Sequence, residues 1–594
     1  MCGVYLRYCR LQDCEEIHGD ISDLEKIKHR GPDGEETIKR ENFFVGFTRL
    51  SIRAHKLGTQ PYSSCGQISC FNGELYNEEK IRREDLGSSL LAESLPPGDM
   101  QLLGEMLIRL GPGSISRAEG MFAGFVFDSN TSRVTTFRDR AGEKPLYIFM
   151  DEKHLCISSE LQIGFIKDKI EVSYGELFQG FLDFRNSREI TVVRPATYVD
   201  IDLIGWSMTT TRYWNWHASM KPVAKGIDQA LNDAVEKRLV AETKVCTFLS
   251  GGIDSAVISQ IAARAFGPGF EAFTLRINSK GFDESALAQK TATAIGVELN
   301  IISRSDEELA QDCLELLKQI DIPILDTSSI LTYSLSKAVA QEFKVALTGD
   351  GGDELFSGYY LFKYFEYIEL LRHKLPKLGV FVLDSIIPIV FTGTDYLPLK
   401  MKLERLRFIL TKPDLPSYYG AISPVGGTLL TDLLTNGLEF NFGSQQLKLS
   451  DLASYYQDFV LPEVYLMKTD RCSMLHGLEL RAPFLDTELI YFAQHEVRKE
   501  KRLGKKTYLR NYAREFLPVE VLNAPKHGFS APFDRIMRYL DEPQWNKFFP
   551  SELASLAALI WKTARTQGGN YANASWCLLN MTFLYEKFLL VPNK

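Results

Sequence analysis

The second residue of the chain, Cys2, has a side chain that could act as a nucleophile. Methionine aminopeptidases remove an initiator methionine when the next side chain is small, and this would leave Cys2 with a free α-amine. Such an amine has a pKa of about 7.7–8.0 and can act as the base that activates its own thiol. A cysteine can also follow the first methionine by chance. Cys2 therefore predicts an N-terminal nucleophile only if other motifs support that chemistry.

Two glycine-rich segments in the second half are typical of a nucleotide site. They are Ser250-Gly-Gly-Ile-Asp-Ser255 and Thr348-Gly-Asp-Gly-Gly-Asp-Glu-Leu-Phe-Ser-Gly-Tyr359. Glycine lets the backbone approach a phosphate closely, and the N–H groups at the start of a helix bind anions. No Gly-x4-Gly-Lys-Ser/Thr sequence occurs in the chain, so a Walker loop is not expected. The pattern favours an enzyme that cleaves ATP to AMP and pyrophosphate, and the acidic positions suit Mg2+.

The elements that must position these residues are of two kinds. Before about residue 208, short apolar runs alternate with turn signals, which is typical of mostly antiparallel strands. Beyond it, apolar strands alternate with helices, which indicates a parallel sheet, and from residue 360 the pattern is mainly helical. Predicted strands lie at 43–47, 67–71, 123–127, 133–138, 145–149, 155–158, 244–249, 270–277, 298–302 and 343–348, and predicted helices at 100–110, 256–266, 284–295 and 307–319.

The size and composition of the chain limit its class. Its 594 residues predict two domains, because single cores stop growing near ~250–300 residues. We divide them as 1–208 and 209–594. Hydrophobic residues make up 45% and charged residues 24%, which excludes a disordered, collagen-like or disulfide-scaffold chain. A net charge of −8 argues against a dominant nucleic-acid surface, so no nucleic-acid partner is expected.

The cysteines and the most apolar segment indicate the location of the protein. The ten cysteines form no Cys-x-x-Cys pair, so we predict no zinc site and reduced thiols in the cytoplasm. The N-terminus lacks the apolar core of a signal sequence. The segment 380–391, interrupted by Asp384 and Pro388, is too short to cross ~30 Å of hydrocarbon, and it predicts a buried helix pair. No membrane association is expected.

Four motifs of the first half carry a family resemblance. They are Arg30-Gly-Pro-Asp33, Arg49-Leu-Ser-Ile52, Phe71-Asn-Gly-Glu-Leu-Tyr-Asn77 and Arg138-Asp-Arg-Ala-Gly-Glu-Lys-Pro-Leu-Tyr147. In this order they resemble the glutaminase domain of glutamine-hydrolysing asparagine synthetases. The resemblance implies an αββα sandwich in which Cys2 attacks the side-chain amide of glutamine.

The resemblance also implies roles for residues that bind glutamine. Arg49 would hold the α-carboxylate, Asn72 and the N–H of Gly73 would form the oxyanion hole, and Asp99 with Glu74 would hold the α-ammonium. Alternative interpretations are a surface arginine for Arg49, a hairpin turn for Asn72-Gly73 and a helix cap for Asp99.

The sequence departs from the family at two places in this half. Relatives usually read Ser-Asp-Thr-Glu where this chain has Gly98-Asp-Met-Gln101. Many relatives also continue with Ile-Asp where Arg53 follows Arg49-Leu-Ser-Ile52.

The second half resembles the synthetase domain of the same family through four further motifs, at 467–474, 478–486, 504–510 and 525–529. The resemblance places ATP on Leu249, Ser250, Gly251, Gly252, Asp254, Ser255, Thr348 and Gly349, and Mg2+ on Asp254 and Asp353. Asp350 stands where relatives often have Glu and would act at the acyl-adenylate. Lys506 would stabilise charge on the phosphates, although it could belong to a solvated basic run. Arg471 and Arg481 could line the same pocket or make buried ion pairs.

The resemblance covers both halves and implies a glutamine-dependent amidotransferase with Mg2+ as cofactor. Ammonia from glutamine would amidate a carboxylate activated by ATP, with aspartate as the expected acceptor and a homodimer as a possible assembly. The motifs leave three alternatives open, namely another carboxylate such as a uronic acid, a β-lactam-forming synthetase, and a non-enzymatic sensor of glutamine or nucleotide.

Overall fold

The structure of the protein is a computed structural model. It describes residues 2–10, 20–55, 57–86, 95–163, 171–173, 189–216, 225–279, 282–324, 326–374, 376–390, 399–411, 448–497, 506–524, 530–587 and 589–591. The motif predicted at 525–529 and the first two residues of the one at 504–510 lie outside these ranges.

The first half forms two six-stranded antiparallel sheets. The orders are β11-β8-β9-β1-β3-β2 in one sheet and β13-β12-β7-β6-β5-β4 in the other. Their strands are β1 Gly3–Cys9, β2 Gly34–Lys39, β3 Phe43–Arg49, β4 Tyr62–Ser64, β5 Gln67–Leu75, β6 Gly120–Asp128, β7 Arg133–Arg138, β8 Tyr147–Met150, β9 His154–Ser158, β11 Ile190–Val192, β12 Thr197–Asp202 and β13 Ser207–Arg212, and a further strand, β10 Glu171–Ser173, lies outside both sheets.

The two sheets pack face to face because their strands alternate in the residues that they bury. Val4 and Leu6 of β1 meet Phe125 of β6 in the core between the sheets, whereas Tyr5 points to the opposite face of its sheet. This is the period-two pattern of a strand that is covered on both sides. A helix covers each outer face, Asp20–Lys26 on the first sheet and Asp99–Leu110 on the second, which confirms the αββα prediction.

The second half contains a five-stranded parallel sheet in the order β16-β15-β14-β17-β18. The chain first builds outward through β14, β15 and β16, and then returns to the other side of β14. The crevice at such a reversal of strand order, at the carboxyl ends of the strands, is where ligands bind in open α/β sheets. The strands are β14 Val245–Phe248, β15 Glu271–Ile277, β16 Glu298–Arg304, β17 Val345–Leu347 and β18 Glu479–Arg481.

Helices form most of the remaining described chain, three of them in the first half and the others around or beyond the parallel sheet. They are α1 Asp20–Lys26, α2 Glu78–Lys80, α3 Asp99–Leu110, α4 Ile227–Leu239, α5 Ile253–Phe266, α6 Ser285–Ile295, α7 Asp306–Gln319, α8 Ser328–Val339, α9 Gly352–Leu355, α10 Tyr360–Lys374, α11 Pro376–Ile386, α12 Leu399–Thr411, α13 Leu449–Tyr455, α14 Met467–Met474, α15 Thr487–His495, α16 Thr507–Ala513, α17 Val519–Leu522, α18 Phe533–Ile536, α19 Ser551–Gln567 and α20 Asn570–Tyr585. Shorter 3-10 or π-helical turns span Lys28–Arg30, Ile81–Asp85, Pro112–Arg117, Ile387–Ile389, Tyr456–Leu466, Pro483–Leu485, Met537–Tyr539 and Trp545–Lys547.

The two halves are joined by a cluster of buried charges, which we call the interface cluster. Arg30 is fully buried and donates to both carboxylate oxygens of Asp470, at 2.8 and 3.0 Å, and to Glu160 at 2.9 Å. Arg471 donates to Asp321 at 2.8 Å. Because a buried charge without a partner costs several kcal/mol, about 3–5 when one member is removed, these five residues fix how the halves pack.

The last described strand, β19 Leu589–Val591, pairs in parallel with β10 of the first half. The predicted boundary at residue 208 falls inside β13, which is paired along its whole length with β12. We therefore propose that the first domain ends after Arg212.

The apolar segment at 380–391 differs from the prediction of a buried helix pair. It contains the end of α11 followed by the turn Ile387–Ile389, and the side chains of Phe381 and Ile389 are 69% and 76% exposed. This helix is buried on one side only, because Leu383 is buried while its neighbours face outward. Among the described residues, no helix has the length and apolarity needed to cross a membrane.

The prediction that all cysteines are reduced is wrong at Cys9. Cys9, at the end of β1, is disulfide-bonded. The prediction rested on the absence of Cys-x-x-Cys pairs, and this absence does not exclude a disulfide between cysteines at another spacing. Eight other cysteines are free: Cys2, Cys65, Cys70, Cys156, Cys246, Cys313, Cys472 and Cys577.

Candidate active sites

Cys2 lies immediately before β1 and is anchored at its backbone. Its N–H donates to Oδ1 of Asn72 at 2.8 Å, and its carbonyl accepts from Nε of Arg30 at 3.3 Å. Burial raises the pKa of the Cys2 thiol, although the N–H of Leu50 favours the thiolate. A thiol with a raised pKa needs a base close by. The α-amine that loss of Met1 would leave on Cys2 is the same nitrogen that contacts Oδ1 of Asn72.

Asn72 and Gly73 lie inside β5 and not in a hairpin turn. Nδ2 of Asn72 is buried and has no hydrogen-bond partner among the described residues, so this N–H group is available to an oxyanion. Gly73 has a φ of +141°, and a Cβ there would overlap the carbonyl oxygen of Met121. Position 73 therefore requires glycine, because any side chain there would clash with the neighbouring strand and strain the backbone.

Arg49 ends β3 and holds the loop that follows it. Its guanidinium donates to the carbonyls of Ala54 at 2.8 Å, His55 at 3.0 Å and Arg53 at 3.4 Å. These hydrogen bonds fix the position of the Arg49 guanidinium beside the loop. Its contact with a substrate carboxylate stays a prediction.

Glu74 and Asp99 approach one another at the far end of the same pocket. Asp99 is the first residue of α3 and accepts from the N–H of Leu75 at 2.9 Å, while Gly98 is the capping residue of that helix. Burial, with the negative charge of Asp99, raises the pKa of Glu74 well above its usual range, although Arg481 opposes the shift. Burial also raises the pKa of Asp99.

Arg53 lies between these two carboxylates. Its Nη1 is 3.4 Å from Glu74 Oε2 and 3.4 Å from Asp99 Oδ2. The sequence marked Arg53 only as a departure from the family. Its contact with both acids depends on the fold, because Arg53 lies in the loop after β3, Glu74 on β5 and Asp99 on α3.

The first glycine-rich segment connects β14 to α5 as predicted. Gly252 caps α5, and Oγ of Ser255 accepts from the N–H of Ser250 at 3.1 Å. Leu249, buried beneath the loop, donates its N–H to Phe273 at 2.9 Å. The loop thus presents a helix N-terminus at the point where the strand order reverses.

The second segment meets the first one across this crevice. A Cβ on Gly349 would lie 3.0 Å from Cβ of Asp254, and one on Gly352 would lie 2.9 Å from its carboxylate. Thr348 donates through Oγ1 to Asp350 Oδ2 at 2.8 Å. The structure therefore brings the predicted ATP-binding residues of both segments together.

Lys506 is buried against two carboxylates of these segments. Its Nζ contacts Asp254 and lies 2.6 Å from Asp353 Oδ1. Although burial alone would lower it, Asp254 and Asp353 raise the pKa of Lys506 above its usual value. A place in a solvated basic run does not fit this burial. A side chain on Gly358 would overlap both Asp353 and Lys506.

Asp254 and Asp353 have the chemistry that Mg2+ needs when phosphates supply its other ligands. Their carboxylates converge on one cation, the ammonium of Lys506. Among the described residues, no group of three or more His, Cys, Asp or Glu side chains could hold a metal. These two carboxylates fit a metal that arrives with a nucleotide.

The arginines left open by the sequence both make buried ion pairs. Arg471 belongs to the interface cluster. Arg481, on β18, donates through Nε to Glu479 at 2.6 Å, and its Nη2 lies 3.3 Å from Glu74 Oε1. Burial alone would raise the pKa of Glu479, but nearby positive charges including Arg481 lower it to about 2. The sequence did not predict the short strand β18. Two of its three residues are charged, and only Leu480 between them is apolar, so it lacks the apolar pattern of a buried strand.

Comparison with known proteins shows the family of the chain. The family model for asparagine synthase matches residues 226–547, and a model for a glutamine amidotransferase domain matches residues 1–214. The chain belongs to the asparagine synthase family. As a member of this family, it is a ligase that forms carbon–nitrogen bonds.

Relatives of the asparagine synthase family align along most of the chain. One is asparagine synthetase [glutamine-hydrolyzing] 1 of Bacillus subtilis, 28% identical over 89% of this chain and 86% of the relative. A putative asparagine synthetase [glutamine-hydrolyzing] of Mycobacterium bovis is 27% identical, covering 87% and 85%. Amidase chry2 of Gibberella zeae is 24% identical, covering 88% and 86%.

The oxyanion hole of this synthase-family member can be tested at Asn72. Asn72→Ala removes the unpaired Nδ2 donor, and we expect kcat for glutamine hydrolysis to fall by about 10²–10³-fold. Ammonia release measures this activity. Amide synthesis from added ammonium salts should persist, as it should in the nucleophile control Cys2→Ala. Hydrolysis at the native rate in a folded Asn72→Ala protein would contradict the assignment.

The cation of the phosphate site can be tested at Lys506. Lys506→Ala leaves the carboxylates of Asp254 and Asp353 without the positive charge that they share. It also removes the cation that would stabilise negative charge on the phosphates of ATP when pyrophosphate leaves. We expect kcat for pyrophosphate release to fall by about 10²-fold or more, with a smaller change in the KM for ATP. Arg502, in the adjoining basic run, offers the control Arg502→Ala. Equal effects of the two substitutions would show that Lys506 has no special role.

Proposed function

We propose that the protein converts aspartate to asparagine, taking nitrogen from glutamine and energy from the cleavage of ATP to AMP and pyrophosphate. The carrying observation is the buried, unpaired Nδ2 of Asn72 beside Cys2. An N–H donor without a partner at that point can stabilise the negative charge that develops on the amide oxygen during attack. A sensor that binds glutamine without cleaving it has no need of such a donor.

The first reaction takes place at Cys2. The α-amine exposed by loss of the first methionine accepts the thiol proton, and the thiolate attacks the amide carbon of glutamine. The N–H groups of Asn72 and Gly73 stabilise the oxygen anion. Collapse of this intermediate breaks the C–N bond, and the nitrogen leaves as ammonia after taking the proton from the amine. Water then hydrolyses the thioester, which releases glutamate and restores the thiol.

The second reaction takes place at the crevice between β14 and β17. An oxygen of the acceptor carboxylate attacks the α-phosphorus of ATP, and pyrophosphate leaves. Lys506 is placed to stabilise the charge that develops on the phosphates. Asp254 and Asp353 would hold Mg2+, which neutralises phosphate charge when it is bound. Ammonia then attacks the acyl carbon, AMP leaves, and Asp350 is placed to accept a proton.

The surroundings of Asp350 support an amino acid as the acceptor. Lys468, at the start of α14, donates to Asp326 at 3.1 Å and to Ser328 at 2.8 Å, and Thr469 lies 3.5 Å from Asp350. Burial alone would lower the pKa of Lys468, but Asp326 and Asp350 raise it. A cation and an anion side by side match the ammonium and carboxylate of aspartate, whereas a sugar acid needs groups that match hydroxyls.

The cellular location of the protein and its assembly into a homodimer are also proposals. The eight free cysteines favour the reducing cytoplasm, with the disulfide of Cys9 as the exception. A homodimer stays a prediction.

The acceptor is tested by acid-dependent release of pyrophosphate with Mg-ATP and glutamine. We expect millimolar aspartate to stimulate release, because Lys468 and Asp326 can pair with its two charged groups. Uronic acids and nucleotide-linked uronic acids serve as the comparison panel. Stimulation by a sugar acid and not by aspartate would overturn the acceptor. Formation of ADP and phosphate would overturn the adenylation scheme.

A further inference from the structure

Two peptide groups of the loop after β3 lie between an arginine of the first half and a carboxylate of the second half. The carbonyls of Arg53 and Ala54 accept from Nη2 of Arg49, at 3.4 and 2.8 Å. The N–H groups of the same two peptide bonds belong to Ala54 and His55, and they donate to the carboxylate of Glu242 at 2.7 and 3.3 Å. Glu242 is therefore connected to Arg49 through the backbone of this loop.

The opposite charges at the two ends strengthen these hydrogen bonds. The carboxylate attracts the N–H end of each peptide dipole, and the guanidinium attracts the carbonyl end. Hydrogen bonds to charged groups are roughly twice as strong as neutral ones, and bonds in a chain polarise one another. The N–H groups of Ala54 and His55 also hold the pKa of Glu242 below its usual value, so this carboxylate carries its negative charge at neutral pH.

The loop depends on these contacts because its backbone is strained at Ala54. This residue has a φ of +49°, in the left-handed region that residues other than glycine seldom adopt. The carbonyl of Ala54 also accepts from the N–H groups of Leu57 and Gly58, at 3.0 and 2.8 Å. Loss of the carboxylate would leave the strained peptide groups with partners on one side only, and we expect the loop to leave this conformation.

Glu242 lies between α4 and β14, in a segment that is bonded to both halves. Its own N–H donates to the carbonyl of Ile52 at 2.9 Å, and Nη1 of Arg481 donates to the carbonyl of Val240 at 2.9 Å. The Glu242 side chain is 51% exposed, and its carboxylate lies 3.6 Å from Nε2 of His55. A substitution at Glu242 therefore removes hydrogen bonds to the loop without opening a cavity in a core.

We propose that Glu242 is a positioning residue of the glutamine site, contributed by the second half of the chain. It holds the loop in the conformation whose carbonyls fix the Arg49 guanidinium, and Arg49 binds the α-carboxylate of glutamine. The inference rests on the proposed function, because it depends on the role proposed for Arg49. It makes the second half necessary for tight binding of glutamine in the first.

The test measures glutamine hydrolysis by the native enzyme and its variants, with ammonia release as the readout. We expect Glu242→Ala to raise the KM for glutamine about five- to tenfold and to change kcat by less than about twofold, because the loss is one of binding. Glu242→Gln keeps one acceptor oxygen and should give an intermediate KM. Glu236, an exposed glutamate of α4, offers the matched control Glu236→Ala, which should keep the native constants.

A double-variant cycle tests whether Glu242 acts through Arg49. Arg49→Lys keeps the positive charge but loses the planar fork that donates to several carbonyls, so it should raise the KM for glutamine by itself. We expect the double variant to have a KM within about twofold of that of Arg49→Lys alone. Two effects that multiply would overturn the inference. A native KM in Glu242→Ala, or an equal rise in Glu236→Ala, would overturn it as well.

Amide synthesis from ammonium salts measures the integrity of the second half independently. The loss of kcat/KM for glutamine in Glu242→Ala should exceed any loss of ammonium-dependent synthesis at least about fivefold. Equal losses would show that Glu242 only stabilises the second half, and would overturn the inference. If Glu242→Ala does not fold, Glu242→Gln takes its place in every comparison. A native protein that does not hydrolyse glutamine would instead overturn the proposed function, so the two failures are distinguishable.

Discussion

The packing of this protein depends on the burial of Arg30, whose charge must be matched by acids from both halves of the chain. Glu160 comes from the first half and Asp470 from the second. Because the guanidinium also donates to the carbonyl of Cys2, the same side chain that joins the halves holds the proposed nucleophile in position. Asp470 directly follows Thr469, which lies beside Asp350. One buried charge thus ties the amide-cleaving site to the amide-forming site.

A second connection runs through the edge strand β18. The carbonyl of Arg481, on this strand, accepts from the N–H of Thr348 in the predicted ATP site. The guanidinium of the same residue contacts Glu74 on β5, the strand that also carries Asn72. This strand therefore contacts residues of both proposed sites. This matters for the proposed reaction, because ammonia released into water at neutral pH is protonated and lost as a nucleophile. The proposed reaction therefore predicts a passage between the two sites that excludes water.

The sequence predicted much of the fold and of the residues at both sites, because strand periodicity and glycine-rich loops are local signals. The strand at 133–138 has the predicted bounds, and the helix predicted at 100–110 begins one residue earlier. Contacts between distant residues could not be predicted in this way. The place of Arg53 between Glu74 and Asp99, and the short strand β18, depend on packing. The exposed face of α11 shows the same limit, since an apolar segment does not reveal whether anything covers it.

The most direct test of this account follows the nitrogen atom. Glutamine labelled with 15N in its side-chain amide is supplied with Mg-ATP, the acceptor acid and an excess of unlabelled ammonium. If the packing of the halves delivers ammonia from Cys2 to the acyl-adenylate, the amide product will carry a 15N fraction well above that of the ammonium pool, as measured by mass spectrometry. A product whose 15N fraction equals that of the pool would contradict the account.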